Sequence, residues 1–266
     1  MTETAPLLAV DDLEVAYDRV AVALHGVTLR VMPQSIVALV GNNGAGKTTT
    51  LRAISGFIGL DGAAVRAGSI RFAGQRIENQ APHANTARGI ALVPERDKVF
   101  PNLTVAENLA VAPANGASPS ERARLERLAY EFFPALVPLR TRLAGLLSGG
   151  ERQMLAFGSA IVCRPGLLLV DEFSLGLAPV IVEDLARRLC AIRQELAIAV
   201  LLVEQNLGVA LDLADYAYVL ENGRVSLEGP AAELRSRHEI QESYLGQASG
   251  EERRSYRALR REQPRG

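Results

Sequence analysis

The sequence predicts an α/β fold, and three stretches of it carry that expectation. Ile36–Val40 is a short, largely β-branched apolar run, and the residues after it read as a glycine-rich turn and then as helix. Leu167-Leu168-Leu169-Val170 is a second buried strand with Asp171 and Glu172 at its C-terminal edge, where open α/β sheets bind ligands. Between these two strands the pattern changes to capped, amphipathic helices over about 102–160. The expected architecture is a nucleotide-type α/β core, flanked by an antiparallel β subdomain and interrupted by an all-helical insertion.

Composition narrows the class. A chain of 266 residues that is 48% hydrophobic can bury a sizeable core, as one large α/β domain or two small ones. The 29 basic and 30 acidic side chains nearly cancel, giving no electrostatic reason to expect nucleic acid as a partner. Cys163 and Cys190 sit in apolar surroundings, as buried thiols of a reducing compartment do. The acidic stretch Met1–Glu14 lacks the basic start and apolar centre of a signal peptide, and Leu196–Val203 is too short to span a bilayer. A soluble protein is expected, with any membrane association made through a partner.

Along the chain, Leu8, Val10, Leu13, Val15 and Tyr17 roughly alternate with polar residues, as in a half-buried strand. Val27–Val31 alternates too, and Pro33 ends it. Ser55-Gly56 stops the first helix, and Gly68–Gly74 reads as a short strand between glycine turns. Ile90–Val93 is a buried strand closed by Pro94. Thr104 with Glu107 forms a capping box, and Ser118-Pro119-Ser120-Glu121 repeats the device with Pro at the first helical position. Leu125, Leu128 and Phe132 mark one helix face, which Pro134 closes. A helix over Glu183–Glu195 separates the Leu167–Val170 strand from a strand at Ile198–Val203, and a further strand follows at Tyr216–Leu220. Asn222-Gly223 is a hairpin turn, and Gly229-Pro230 opens a last short helix. From about Gly246 the chain is polar and Arg-rich; residues 247–266 read as a poorly ordered tail, or as a basic contact for anionic lipid.

The chemistry lies in three motifs. In Gly41-Asn42-Asn43-Gly44-Ala45-Gly46-Lys47-Thr48-Thr49 the glycines let backbone N–H groups converge on phosphates at a helix N-terminus. Lys47 can reach the β- and γ-phosphates, and the Thr48 hydroxyl can ligate Mg²⁺. Asp171 is placed to hold the same ion, and Glu172 to polarise a water for in-line attack on the γ-phosphate. An acidic pair after a strand is also ordinary surface chemistry, but here it lies downstream of a phosphate loop. Third, Leu147-Ser148-Gly149-Gly150-Glu151-Arg152-Gln153 opens with a capping box, so Gly149 and Gly150 present N–H groups at a second helix N-terminus. By itself that is either a second anion site or a capped helix without a ligand.

In this order, the phosphate loop, Leu-Ser-Gly-Gly-Glu-Arg-Gln and Leu-Leu-Leu-Val-Asp-Glu resemble the ATP-binding subunits of ABC transporters over about Leu7 to Leu245. The resemblance implies a P-loop NTPase core in an ABC ATPase domain spanning 1–246, with ATP and Mg²⁺ as cofactors. It implies a head-to-tail dimer in which Ser148, Gly149 and Gly150 of one subunit close over ATP held by the other's phosphate loop. It makes Tyr17 the aromatic that stacks on adenine, with a core-facing strand aromatic as the alternative. It places Glu95 and Gln205 with Glu172 as catalytic groups, and Glu95 with Thr48 and Asp171 as metal ligands. Ser174–Ala178 becomes the loop across the dimer interface.

Val93-Pro94-Glu95-Arg96, Phe100–Val105, Ser174–Pro179 and Leu202–Asn206 are similar to the branched-chain amino acid importer group, specifically one of its two non-identical ATPases. That implies ATP hydrolysis driving import of branched-chain amino acids or similar small polar substrates. Its partners would be a second ATPase, two membrane permeases and, indirectly, an external substrate-binding protein, with this chain on the cytoplasmic face of the membrane. Urea and short-amide importers share much of this wording. A non-transport soluble ABC ATPase and a regulatory nucleotide-binding subunit are the other readings. Three positions depart from the general family pattern: Glu95 stands for Gln, Phe173 for Pro, and Gln205 for the switch histidine. His25, His83 and His238 are all remote from that last strand in sequence. Glu95 and Gln205 fit the subgroup; Phe173 does not.

Overall fold

Alternating apolar residues at the start of the chain build an antiparallel sheet in the computed structural model, which describes residues 5–18, 20–96 and 98–236. Strand β1 (Leu8–Tyr17) pairs antiparallel with β2 (Ala21–Val31). The chain then enters β3 (Ile36–Val40), every residue of which is buried, and passes through the phosphate loop into α1 (Lys47–Ser55). Gly56, at φ 89°, ends that helix. Next come β4 (Ala63–Phe72), β5 (Gln75–Arg76), α2 (Pro82–Ala87) and β6 (Ile90–Val93).

Strand β4 corrects the expectation of a short strand confined to Gly68–Gly74. Gly68 lies within the strand at φ 86°, and a Cβ there would stand 2.4 Å from the carbonyl oxygens of Asp11 and Asp12. The β1–β4 register shifts between Asp11 and Glu14, so the glycine serves a bulge, not a turn.

The segment between β6 and the next sheet strand is helical. It contains α3 (Val105–Val111), α4 (Pro119–Phe132) and α5 (Gly149–Val162), with two short 3-10 turns between α4 and α5. The Thr104/Glu107 and Ser148/Glu151 boxes are reciprocal. Ser118 caps α4 through the Glu121 N–H only, because the Glu121 carboxylate instead lies 3.3 Å from Arg164. Leu109, Phe132, Phe133 and Phe157 bury the helices against one another and against β7 (Leu167–Asp171).

The second half adds α6 (Pro179–Leu196), β8 (Ala199–Glu204), α7 (Leu207–Leu213), β9 (Tyr216–Glu221), β10 (Arg224–Pro230) and α8 (Ala231–Ser236). Helix α6 begins at Pro179, earlier than the expected Glu183, with Pro at its first position. Strand β10 runs through Pro230, so α8 starts one residue after the expected Gly229-Pro230 opening. Among the described residues the second sheet runs β10-β9-β3-β8-β7-β6, parallel except for β10, and the antiparallel sheet runs β2-β1-β4-β5. The C-terminal edges of β3, β7 and β8 therefore lie side by side, and Lys47, Thr48, Asp171, Glu172 and Gln205 hang from those edges or the loops after them, with Glu95 after the neighbouring β6.

Asn222 and Gly223 both take positive φ in the tight β9–β10 hairpin. Both cysteines are free thiols; burial pushes Cys163 up to about 11. Among the described residues no helix is long and apolar enough to cross a membrane. The Arg-rich tail expected at 247–266 lies outside the described residues.

Candidate active site

The phosphate loop folds as its glycines dictate. Gly46, the N-cap of α1, sits at φ 105°, and a Cβ there would press to 2.5 Å from the Leu24 side chain. No side chain caps this helix start, which leaves its first N–H groups free for an anion. The loop is also tied down from behind, since Gly223 N–H donates to the Ala45 carbonyl at 2.9 Å.

Lys47 is almost fully buried at the floor of the loop. Its ammonium donates to the carbonyls of Gly41 at 2.8 Å and Asn42 at 3.3 Å, and lies 3.1 Å from Glu172 Oε1. The Thr48 hydroxyl donates to Asp171 Oδ1 at 3.4 Å. Glu172 itself has φ 43°, a backbone state that is strained for a residue with a side chain, and its N–H donates to the Val203 carbonyl. These contacts bind the ends of β3, β7 and β8 into one site.

A cleft of about 580 Å³ opens on this array, and Asn43, Gly44, Gly46, Lys47, Thr48, Thr49, Glu95, Glu172 and Gln205 all line it. Gly41, Asn42 and Ala45 support it from behind through their backbone groups. Tyr17 stands beside it: its hydroxyl is 3.2 Å from Thr49 Oγ1, and its half-buried ring packs on the antiparallel-sheet core. Ser148, Gly149 and Gly150 are not brought to this cleft. They line a second hollow of about 420 Å³ with Gly176, Leu177 and Ala178.

Acidic groups crowd the site. Burial, and then the carboxylates of Glu172 and Glu95, push Asp171 up to about 6, against the pull of Thr48 and Lys47. Burial, helped by Glu172, pushes Glu204 up to about 7, opposed by its hydrogen bonds from Ser174. The donor set of a hydroxyl and crowded carboxylates suits a hard oxygen-seeking cation. Among the described residues no group of three or more His, Cys, Asp or Glu forms a cage for one. Mg²⁺ typically takes one or two protein oxygens and completes its shell from phosphates and water.

The sequence pattern names Glu204, His25, Asn222 and Arg96 but assigns none of them to the site. Glu204 is 1% exposed at the end of β8, where the apolar run concealed a polar contact to another loop. His25, Asn222 and Arg96 all line the cleft. Asn222 was visible only as a turn former, and nothing in the pattern of β2 marks His25.

Residues 24–174 match the ABC transporter family model. The chain belongs to the ABC transporter family of ATP-binding subunits. The chain is 39% identical over 240 residues to BraG, a high-affinity branched-chain amino acid transport ATP-binding protein of Pseudomonas aeruginosa, covering 90% of this chain and 100% of BraG. BraF of the same organism, with the same description, is 28% identical over 91% of this chain and 99% of its own length. The lipopolysaccharide export ATP-binding protein LptB of Haemophilus influenzae is 30% identical over 83% of this chain and 90% of its own. An ABC transporter cassette solved in its ADP conformation superposes with a TM-score of 0.78 at 27% identity, covering 92% of this chain and all of that one. The fold is thus the ABC ATPase fold, and this chain is an ATP-binding, ATP-hydrolysing ABC subunit.

Proposed function

We propose that this ABC ATPase powers uptake of branched-chain amino acids, working at the inner face of the cell membrane beside a second, non-identical ATPase and two permeases. The observation that carries the chemical part is the convergence of Lys47, Thr48, Asp171, Glu95, Glu172 and Gln205 at one cleft. Lys47 exchanges its contact with Glu172 for the β- and γ-phosphates. Thr48 and Asp171, with Glu95 nearby, would hold Mg²⁺, which neutralises charge building on the phosphate oxygens. Glu172 takes a proton from the attacking water as its oxygen bonds to the γ-phosphorus and ADP leaves. Gln205, carrying amide donors and an acceptor, orients that water. Tyr17, fixed beside Thr49, offers its ring to adenine. Ser148, Gly149 and Gly150 serve the ATP held by the other subunit, a role supported by their place on a separate hollow with N–H groups at a capped helix start.

The higher identity to BraG than to LptB supports the amino-acid substrate and the import direction. Two tests apply. Glu172→Gln should keep ATP binding and lower turnover by about 10² or more, the usual contribution of a positioned base; a fall under about tenfold rejects Glu172 as the base. In vesicles holding this chain assembled with a partner ATPase, two permeases and a binding protein, leucine or isoleucine should stimulate ATP hydrolysis and enter. Stimulation by urea or a short amide instead, or outward lipid movement, overturns the substrate assignment.

A further inference from the structure

We propose that Glu204 is a positioning residue for ATP hydrolysis: it holds Ser174, and through it the loop that leads from Glu172 to Pro179. The proposal rests on the reading of Glu172 as the base. Ser174 donates to Glu204 twice, from its backbone N–H to Oε1 at 3.1 Å and from its hydroxyl to Oε2 at 2.8 Å. A carboxylate that is 1% exposed is costly to place inside a protein, and neither of these hydrogen bonds comes from a cation. A well-packed apolar residue at the end of β8 would avoid that cost.

What the carboxylate holds explains its presence. Ser174 begins the loop of which Leu175 lines the cleft with Glu172 and Gln205, while Gly176, Leu177 and Ala178 line the second hollow with Ser148 to Gly150. Glu172 lies two residues before Ser174, in a strained backbone state. Gln205 follows Glu204 directly. Glu204 therefore ties three things to one point: the turn at Glu172, the start of Gln205's segment, and the loop shared by the two hollows. Without that tie, the loop after Glu172 is held to the end of β8 only by the Glu172 N–H to Val203 carbonyl bond, while the Lys47 and Thr48 end of the cleft keeps its own contacts. The expected signature is a loss in kcat with ATP affinity nearly intact.

The test uses the full chain with Mg-ATP, in five variants: Glu204→Ala, Glu204→Gln, Ser174→Ala, the Glu204→Ala/Ser174→Ala double variant and Glu172→Gln. Glu204→Ala and Ser174→Ala should each lower kcat by about tenfold to 10²-fold, as small misplacements do. ATP affinity should stay within about threefold in both, and the double variant should be no slower than Glu204→Ala, because that change already removes both hydrogen bonds and Ser174→Ala removes only the hydroxyl one. Glu204→Gln should restore most of the rate: its amide oxygen accepts from the Ser174 N–H and its NH₂ donates to the hydroxyl. Wild-type kcat in a folded Glu204→Ala or in Ser174→Ala overturns the proposal, as do additive losses in the double variant. If Glu204→Ala does not fold, Ser174→Ala and Glu204→Gln decide. Normal turnover in Glu172→Gln overturns the underlying site reading, whereas an inactive Glu172→Gln beside an unaffected Ser174→Ala overturns only this proposal.

Discussion

Phe173 meets Phe157 edge to face, with ring centroids 6.3 Å apart and planes at 75°. Phe157 in turn stacks on Phe133 at 6.2 Å. The residue after Glu172 thus reaches into the core of the helical segment, through the helix α5 that Ser148 caps. Where the general family pattern has Pro, this chain has a fully buried aromatic anchor. Phe173→Ala should destabilise the protein by about 3–5 kcal/mol, the usual cost of emptying a buried phenylalanine site. Denaturant unfolding of the two proteins checks it, and a loss below about 1 kcal/mol would mean the site refills.

Lys47 supports a second prediction. Its three ammonium protons already have three partners, Gly41, Asn42 and Glu172, so the group is held where phosphate must come. Lys47→Ala removes a charge-assisted contact of ~1.5–3 kcal/mol, so ATP affinity should fall at least about tenfold. Calorimetry decides; unchanged affinity removes Lys47 from the nucleotide site.

Much of this architecture can be read from residue pattern because local rules act locally. The Thr104/Glu107 and Ser148/Glu151 boxes, the Asn222-Gly223 turn and the apolar strands β3, β7 and β8 each depend on neighbours a few residues away. What escaped depends on partners far along the chain. Gly68 looked like a turn because its reason, the carbonyls of Asp11 and Asp12, lies on another strand. Phe173 looks anomalous in the sequence because its partner Phe157 lies back in α5, across the end of that helix and all of β7. Glu204 looked like the polar end of a strand because Ser174, 30 residues earlier, is its partner only in the fold.

Glu204 also gives a pH dependence. Its folded pKa of about 7 lies above the ordinary 4.5, so the folded protein binds this proton more tightly than the unfolded chain. The associated stability is complete below the unfolded value and is lost as pH rises through about 7. Glu204→Gln stays neutral and avoids that loss. Its stability relative to wild type should rise between pH 4.5 and 8, by about 3 kcal/mol at most. Asp171 titrates in the same direction in both proteins, so the comparison between them isolates Glu204. Denaturant melts at the two pH values test it, and parallel curves for both proteins would reject the buried-acid account.

Gln205 leads to the last prediction, which concerns two sites at once. It lines the cleft where the general family pattern has a histidine, and the amide cannot titrate near neutral pH as imidazole does. Orientation of water by an amide is nonetheless workable, as in GTPases that use a glutamine for this purpose. On the proposed mechanism the site on this chain's phosphate loop relies on Glu172 for proton removal, with no imidazole at the position of Gln205. A partner ATPase carrying its own histidine would give the other composite site a second group able to exchange protons, and that site should be the faster. With the two subunits assembled, disabling each phosphate-loop lysine in turn isolates each site, and single-turnover hydrolysis gives its rate. The expected result is a slower single-turnover rate at the site on this chain than at the partner site. Equal rates, or full transport by an assembly containing only this ATPase, reject the asymmetric pair.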